Sequence, residues 1–570
     1  MSANFENTSI LTRFMLRRER VNSLMWILIL GGVVILLVPG MFYALPPAER
    51  FAILETLSMP AMVSMVGPAF GEYGTYGALY TNFMMAFTVL TVGLMNIFLV
   101  VRLTRADEEK GRLEVLRSLP VGRLSNLSAA LITALIINIL LGLFIALGMF
   151  GFGSALNDTG MCLNGSLLWG ATLAVTGLVF AALTAFFSQL SSNSRSAMGY
   201  AFMTLGFFFL LRAPGDMNPD MEILALISPL GLPLRTAAYA GNYWWPILIM
   251  FAIASVVTGF AYYFQSIRDI DQGIIPAKPG RAHGSFLTKT PQSFVLKLMK
   301  TTIIVWLVSM FILGAAYGTV FGELDTFIAT NEMYQQLILG PFAIEFLEGL
   351  TIDETVAAMR TAVAAAGFAI PQLFSAMINL IMGMFVTVPS VLFVMKMRKE
   401  EAEIKSELLL ATPVKRSSYM SGYVIIAFVM AVLIQMATGF GMYISAAAVL
   451  YNPADFPLSF AMQAALIYVP AIWVKIGLTV LIIGLVPKAT GIVWAYFAYT
   501  FLFLFFGQGF GIFPDWAAYL SPFAFVTQLP LGPGESVNFV ALGIKIAIAA
   551  ILTVAGFYFY KKRDINAITH

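Results

Sequence analysis

Residues 105–123 read RADEEKGRLEVLRSLPVGR, a dense run of charge that ends in Pro-Val-Gly-Arg. It lies between two apolar stretches, about 82–102 and 126–151. Each is long enough to cross a hydrocarbon core of ~30 Å at about 1.5 Å per residue. Residues 398–416 read RKEEAEIKSELLLATPVKR, and a shift of 293 lays them on the first segment without a gap. Arg105 then falls on Arg398, Glu108 on Glu401, Glu114 on Glu407, Leu116 on Leu409, Pro120 on Pro413, Val121 on Val414 and Arg123 on Arg416. Seven identities in nineteen positions, with the conservative pairs Asp107/Glu400 and Arg112/Lys405, identify the chain as a duplication. The same shift carries Ser228-Pro229 onto Ser521-Pro522, and a shift of 295 carries Arg268-Asp269-Ile270 onto Arg563-Asp564-Ile565.

The composition fits a chain that lives in lipid. Of 570 residues, 59% are hydrophobic and 11% charged, with a mean hydropathy of +0.85, so there is too little polar side chain to cover a water-soluble globule. The net charge of +3 is spread along the chain, which leaves no electrostatic footprint for nucleic acid. Cys162 is the single cysteine and His283 and His570 the only histidines, which excludes an internal disulfide and a cysteine-histidine metal site. Arg13, Arg17, Arg18 and Arg20 precede the first apolar run, from about Val21 to Leu45. That run is longer than a signal-peptide core and lacks a small-x-small cleavage site, so it reads as a retained span.

Apolar runs of spanning length predict twelve transmembrane helices, near 22–44, 82–102, 126–151, 167–188, 197–212 and 244–264, then 301–320, 371–395, 419–449, 463–486, 489–510 and 541–560. The expected fold is an all-α polytopic membrane protein. Its two six-span repeats, 1–264 and 293–570, flank a Pro/Gly/basic linker at 265–292. An even number of spans per half makes the repeats parallel, related by an axis along the membrane normal. With both termini cytoplasmic, the inside segments hold 27 of the 33 lysines and arginines, leaving Arg50, Arg212, Arg235, Arg360, Lys475 and Lys545. The outside loop 321–369 carries seven acidic residues against Arg360. Thr351-Ile352-Asp353-Glu354 in that loop is a capping box that starts a helix. Each repeat opens with a basic amphipathic stretch, SILTRFMLRRER and PQSFVLKLMK, of the kind that lies in the interface plane.

A solvated connector would explain one charged loop, with Glu108–Arg112, Lys110–Glu114 and Glu401–Lys405 as i,i+4 pairs that stabilise a helix by a few tenths of a kcal/mol each. It does not explain recurrence at one position in both halves, acidic residues on a side that needs only positive charge, or a shared Pro-Val-x-Arg exit. A short mixed-charge helix with a proline-fixed exit can pass force from a soluble partner to a membrane helix.

These residues, placed between spans two and three of a six-span unit, resemble the permease subunit of a type-2 ABC exporter. The doubled arrangement is similar to the polyketide-antibiotic and multidrug exporter permeases with two fused halves. Pro487-Lys488 followed by Trp494 echoes the family before span eleven, where the first half has Ser192-Asn193-Ser194-Arg195. The second segment departs from the first, with Ala402 for Glu109 and Ile404 for Gly111. The resemblance implies coupling helices that contact an ATPase. In the first half they comprise Arg105, Glu108, Glu109, Gly111, Arg112, Glu114, Pro120 and Arg123, and in the second Arg398, Glu401, Lys405, Glu407, Pro413 and Arg416. The chain has no G-x-x-x-x-G-K-[ST] phosphate cradle, so it binds no cofactor and is no enzyme itself. ATP and Mg belong on two copies of a soluble ABC ATPase subunit, one for each coupling segment. The resemblance implies export of a hydrophobic or amphipathic compound across the cell membrane.

Lys475 stands near the middle of span ten, where a charge costs about 2.5 to 3.5 kcal/mol. It reads either as a cation facing a substrate cavity or as a side chain that snorkels to the outer surface. The two Ser-Pro pairs read as helix starts before the last span of each half. A secondary, ion-coupled carrier is the alternative for twelve spans in parallel halves, but the loop after span two lacks G-x-x-x-D-R-x-G-R-R and membrane carboxylates are scarce. A lipid-acting enzyme would need a nucleophile-histidine constellation that the chain lacks.

Overall fold

A computed structural model describes residues 2–37, 40, 60–70, 76–158, 160–269, 272–276, 290–322, 324, 352–365, 369–504, 514–527, 529–530 and 536–564. Eleven helices among them are long and apolar enough to cross a membrane, and the described residues contain no strand. The chain is thus an all-α polytopic membrane protein. The remaining expected span, 489–510, starts as a helix at Gly491–Leu502 and continues into residues outside the description. Outside it too lie Arg50, most of the linker 265–292, Thr351 of the expected capping box and most of the acidic outer loop, of which Ile352–Ala365 is helical. Contacts divide the chain into two compact units, Met1–Gly280 and Arg281–His570.

In the first unit the main helices are α1 (Thr8–Gly32), α2 (Tyr76–Leu103), α3 (Arg105–Glu109), α4 (Arg112–Arg117), α5 (Ser125–Ala155), α6 (Leu163–Leu190), α7 (Ser194–Met217) and α8 (Trp245–Ile267). The central helix is α6, which packs against α2, α5, α7 and α8. Its Thr172, Thr176 and Thr184 hydroxyls donate to the carbonyls of Leu168, Thr172 and Phe180 at 2.7, 2.7 and 2.6 Å, so the polar atoms are satisfied within the helix. Asn96 of α2 and Asn138 of α5 exchange side-chain hydrogen bonds of 3.0 and 2.7 Å beside α6. The Asn96 and Asn138 amides also donate to Val92 O and Ala134 O, one turn back.

The second unit contains α9 (Pro291–Thr319), α10 (Ile370–Ala402), α11 (Lys405–Leu410), α12 (Arg416–Val449), α13 (Leu458–Leu466), α14 (Val469–Leu485), α15 (Gly491–Leu502) and α16 (Phe539–Lys562). Here α12 packs along α9, and α14 along α16. The α9–α12 contact is backbone to backbone. A Cβ at Gly314 would lie 2.1 Å from Thr438 O. Small residues permit such close approach where apolar burial gives helices no preference over lipid.

Two expectations need correction. The basic amphipathic stretches are not separate elements but the opening turns of α1 and α9. No glycine or proline separates them from the apolar run, and Leu11, Met15 and Glu19, four apart, bury one face of α1. The fifth span does not stop at Arg212. It runs on to Met217 because Arg212 pairs with Asp216 one turn later at 2.7 Å, which makes a buried charge compatible with a longer helix.

Gly177 of α6 faces the asparagine pair, and a Cβ there would lie 1.9 Å from Asn138 Oδ1. Gly177→Ala should therefore destabilise the protein by ~1–3 kcal/mol, the usual cost of overpacking. Thermal unfolding of purified protein in detergent reads the effect. Gly199→Ala, where a Cβ meets nothing within 4 Å, should leave the midpoint unchanged or raise it.

Candidate functional site: the charged junction

Both charged segments break the helix at the matching position. After α3 the chain turns at Gly111, with φ 68° and ψ 5°, into α4; after α10 it turns at Ile404, with φ 61° and ψ 4°, into α11. The shift of 293 that aligns the sequences also aligns these left-handed residues. Glycine adopts that conformation without a Cβ clash, whereas branched Ile404 holds it at a cost of roughly 1–2 kcal/mol.

The turn rearranges the charge pairs that unbroken helices would make. Glu108 does not face Arg112, and Glu401 does not face Lys405, because each pair spans the break. Arg112 instead bonds Asp107 at 2.9 Å, and Lys405 bonds Glu403 at 2.6 Å. The Lys405 hydrogen bond holds the Glu403 carboxyl below the usual carboxylate range. Lys110 and Glu114 are both exposed.

Glu108 is only 4% exposed. Both of its oxygens accept from Arg268, the residue that caps α8, through Nη1 and Nη2 at 2.7 Å each. Arg105 Nη1 adds a third contact at 3.0 Å. Arg105 also donates to Ser192 O at 2.6 Å, and Arg268 Nε to Gln189 Oε1 at 2.6 Å. From the exit turn, Arg123 donates to Arg268 O at 2.9 Å. The second unit repeats the arrangement. Glu401, also 4% exposed, accepts from Arg563 and from the Tyr560 hydroxyl, and Arg416 donates to Arg563 O at 2.9 Å. Arg563 caps α16. Arg398 is half-buried three residues before Glu401.

Further ties are particular to each unit. Asp107 bonds Arg18 of α1 at 2.7 Å, and the Asn7 amide donates to Pro120 O at 2.5 Å. Gly122 N donates to Glu6 O at 3.2 Å, so the N-terminus is strapped across the exit turn. Glu109 accepts from Ser194 N at 3.2 Å, tying α3 to the start of α7. Ala402 cannot make that bond. In the second unit Gln292 of α9 donates to Ser418 and Ser421, both at 3.2 Å.

The opposite face of each junction is open. Glu114, Pro120 and Arg112 are exposed, with Val115 68% and Leu119 55% exposed among them. Lys405, Glu407, Pro413 and Ile404 are exposed on the second. Each segment thus has a fastened back and an exposed front. Of the expected site residues, Arg105, Glu108 and Glu401 lie on the back; Arg112, Glu114, Lys405 and Glu407 lie on the front. Sequence reasoning gave no role to Arg268, Arg563, Asp107 and Arg18. The signal was present for the first two, because Arg268-Asp269-Ile270 recurs as Arg563-Asp564-Ile565.

Lys475 does not snorkel. It is 1% exposed, donates to Thr500 Oγ1 of α15, and lies 4.5 Å from the Tyr496 ring centroid and 5.3 Å from that of Phe497. Tyr496 in turn donates to Leu520 O at 2.6 Å. Lys545 donates to Phe525 O at 2.8 Å. In the first unit Arg235 bonds Asp216 at 2.8 Å, beside Arg212. Four of the six cations left over by the topology count are therefore buried, and they hold the segments at the end of each bundle away from the junction.

The family model for the C-terminal domain of the multidrug efflux system permease Rv1217c matches residues 12–264, and again 289–371 and 337–561. The multidrug efflux system permease protein Rv1217c of Mycobacterium tuberculosis (strain ATCC 25618 / H37Rv) is 28% identical over 568 residues, covering 99% of this chain and 96% of that protein.

The two left-handed turns predict opposite responses. Ile404→Gly should stabilise the protein by ~1 kcal/mol, and Gly111→Val should destabilise it by a similar amount, since the only change at Gly111 is backbone strain. Thermal midpoints of the two variants against the parent check this.

Proposed function

Because the chain belongs to the family of the multidrug efflux system permease Rv1217c, we propose that it is the membrane subunit of an ATP-driven exporter of hydrophobic or amphipathic compounds. ATP is hydrolysed by two copies of a separate soluble ATPase, one on each charged junction. The junctions face the cytoplasm, as do both termini, in keeping with 27 of 33 basic residues on that side.

The observation that carries this reading is the two-sidedness of the junction. An ordinary solvated loop has no reason to bury a carboxylate against the last span while leaving Val115 and Leu119 in water. Exposed apolar side chains on the same short segment as the exposed Arg112 and Glu114 make a mixed surface of the kind that a protein partner covers, with apolar contact and charge together. A secondary carrier would need no such surface and would export without a partner.

The reading frame beside this chain should encode a soluble P-loop ATPase, and the test is co-expression of the two followed by purification in detergent. The ATPase should co-purify at two copies per permease. Glu114→Arg with Leu119→Asp should weaken that association about tenfold, or ~1.4 kcal/mol, with the thermal midpoint unchanged because both side chains are exposed. Dye export by the purified permease alone in proteoliposomes would contradict the proposal.

A further inference from the structure

The junction grips one residue at both ends. Glu108 holds the Arg268 guanidinium while Arg123 holds the Arg268 carbonyl, and Glu401 and Arg416 do the same to Arg563. Arg268 and Arg563 are the caps of α8 and α16, the last span of each unit. We propose that these two latches make the last span of each repeat, as well as the spans adjoining the junction, the output of the lever. Glu108, Arg268, Glu401 and Arg563 are positioning residues in this scheme. The inference rests on the reading of the junction as the ATPase contact.

Four observations support it. The latch occurs twice, in the same three-part geometry, between residues whose sequence positions are matched by the duplication. The grip is charge-assisted, and in the first unit it is bidentate, which resists rotation as well as separation. The two points of attachment lie on either side of the left-handed turn, one on α3 or the end of α10, the other on the exit turn. A capping residue held at two such points cannot pivot. Finally, there is little slack. The cavity bounded by Arg105, Glu108, Leu113, Gln189, Gln265 and Arg268 measures about 10 Å³, the room of one water.

Apart from the latch, α8 packs mainly on α6, and α16 mainly on α14. A displacement of the junction therefore reaches the last span through its end. That span and the central helix beneath it are carried together. Without the latch, force would still reach α2 and α5, or α10 and α12, through chain continuity, and in the first unit α1 and α7 through Asp107–Arg18 and Glu109–Ser194, but the junction would lose its grip on the end of the last span. The two latches also differ. Arg105 and Gln189 reinforce the first, and Tyr560 the second. Loss of either one therefore impairs its own repeat.

The test uses spin labels on Lys110→Cys and Ser266→Cys, both exposed, in full-length permease lacking Cys162 and reconstituted in nanodiscs. In the parent the label distance should be narrowly distributed. Glu108→Gln should broaden it, and the swap Glu108→Arg with Arg268→Glu should narrow it again. An unbroadened distribution in Glu108→Gln overturns the latch whether or not an ATPase binds. In the complex with the ATPase, ATP should leave the parent distance unchanged, and a parent distance that changes with nucleotide also overturns it. Glu108→Gln complexes should keep ATPase association and ATP hydrolysis, yet lose about tenfold in ethidium exported per ATP, the size of a typical coupling term. Equal loss of association, hydrolysis and export would mark the pair as merely structural and overturn the proposal. If no ATPase associates with the parent, the proposed function fails while the nanodisc distances still judge the latch.

Discussion

A carboxylate buried against an arginine is the constraint on which the junction depends. Glu108 and Glu401 have left water, and each is met there by a guanidinium from the end of the last span, with Arg105 also on Glu108 and the Tyr560 hydroxyl also on Glu401. That requirement fixes where the charged segment lies, how α8 and α16 end, and which residues remain to face outward. Breaking such a pair by removing one partner costs roughly 3–5 kcal/mol, because the survivor is left buried and uncompensated. Ion pairs on the open face, such as Lys399–Glu403 at 3.8 Å, are screened by solvent and contribute little. The asymmetry in energy matches the asymmetry in role: one face is fixed and the other is exposed.

The same logic governs the other end of each bundle. Arg212, Arg235, Lys475 and Lys545 defy the charge distribution of the rest of the chain, and each is enclosed by protein. In the first unit the partner is a carboxylate, Asp216, held between two arginines. In the second the partners are a hydroxyl, ring faces and a backbone carbonyl. Cations inside a membrane protein thus serve as fasteners between a span and an adjoining segment.

Much of this was legible in the sequence. Spanning length and hydropathy located the helices, since lipid demands about twenty apolar residues whatever the tertiary fold. The duplication was legible because seven matched positions in one segment survive without a gap. The break at residue 404 was not, because isoleucine carries no turn signal and only its alignment with Gly111 hints at one. Helix-based pairing of Glu108 with Arg112 failed for the same reason. The latch joins residues 160 apart in sequence, and no local pattern encodes such a contact. What the sequence did contain was two recurrences, Glu108/Glu401 and Arg268/Arg563, whose partnership only the fold reveals. Lys475 illustrates the complementary limit: hydropathy places it in the membrane, but the rings of Tyr496 and Phe497 that enclose it belong to another helix.

On the proposed reading, a partner covers the exposed front and moves the fastened back with it. The most direct measurement is a cryo-electron microscopy structure of the permease with its ATPase, without nucleotide and with ATP. The account predicts ATPase density over Glu114, Leu119 and Glu407, with the Glu108–Arg268 and Glu401–Arg563 contacts intact in both states. Density elsewhere, with those front faces bare, or a permease in which the carboxylates part from their arginines when ATP binds, would contradict it.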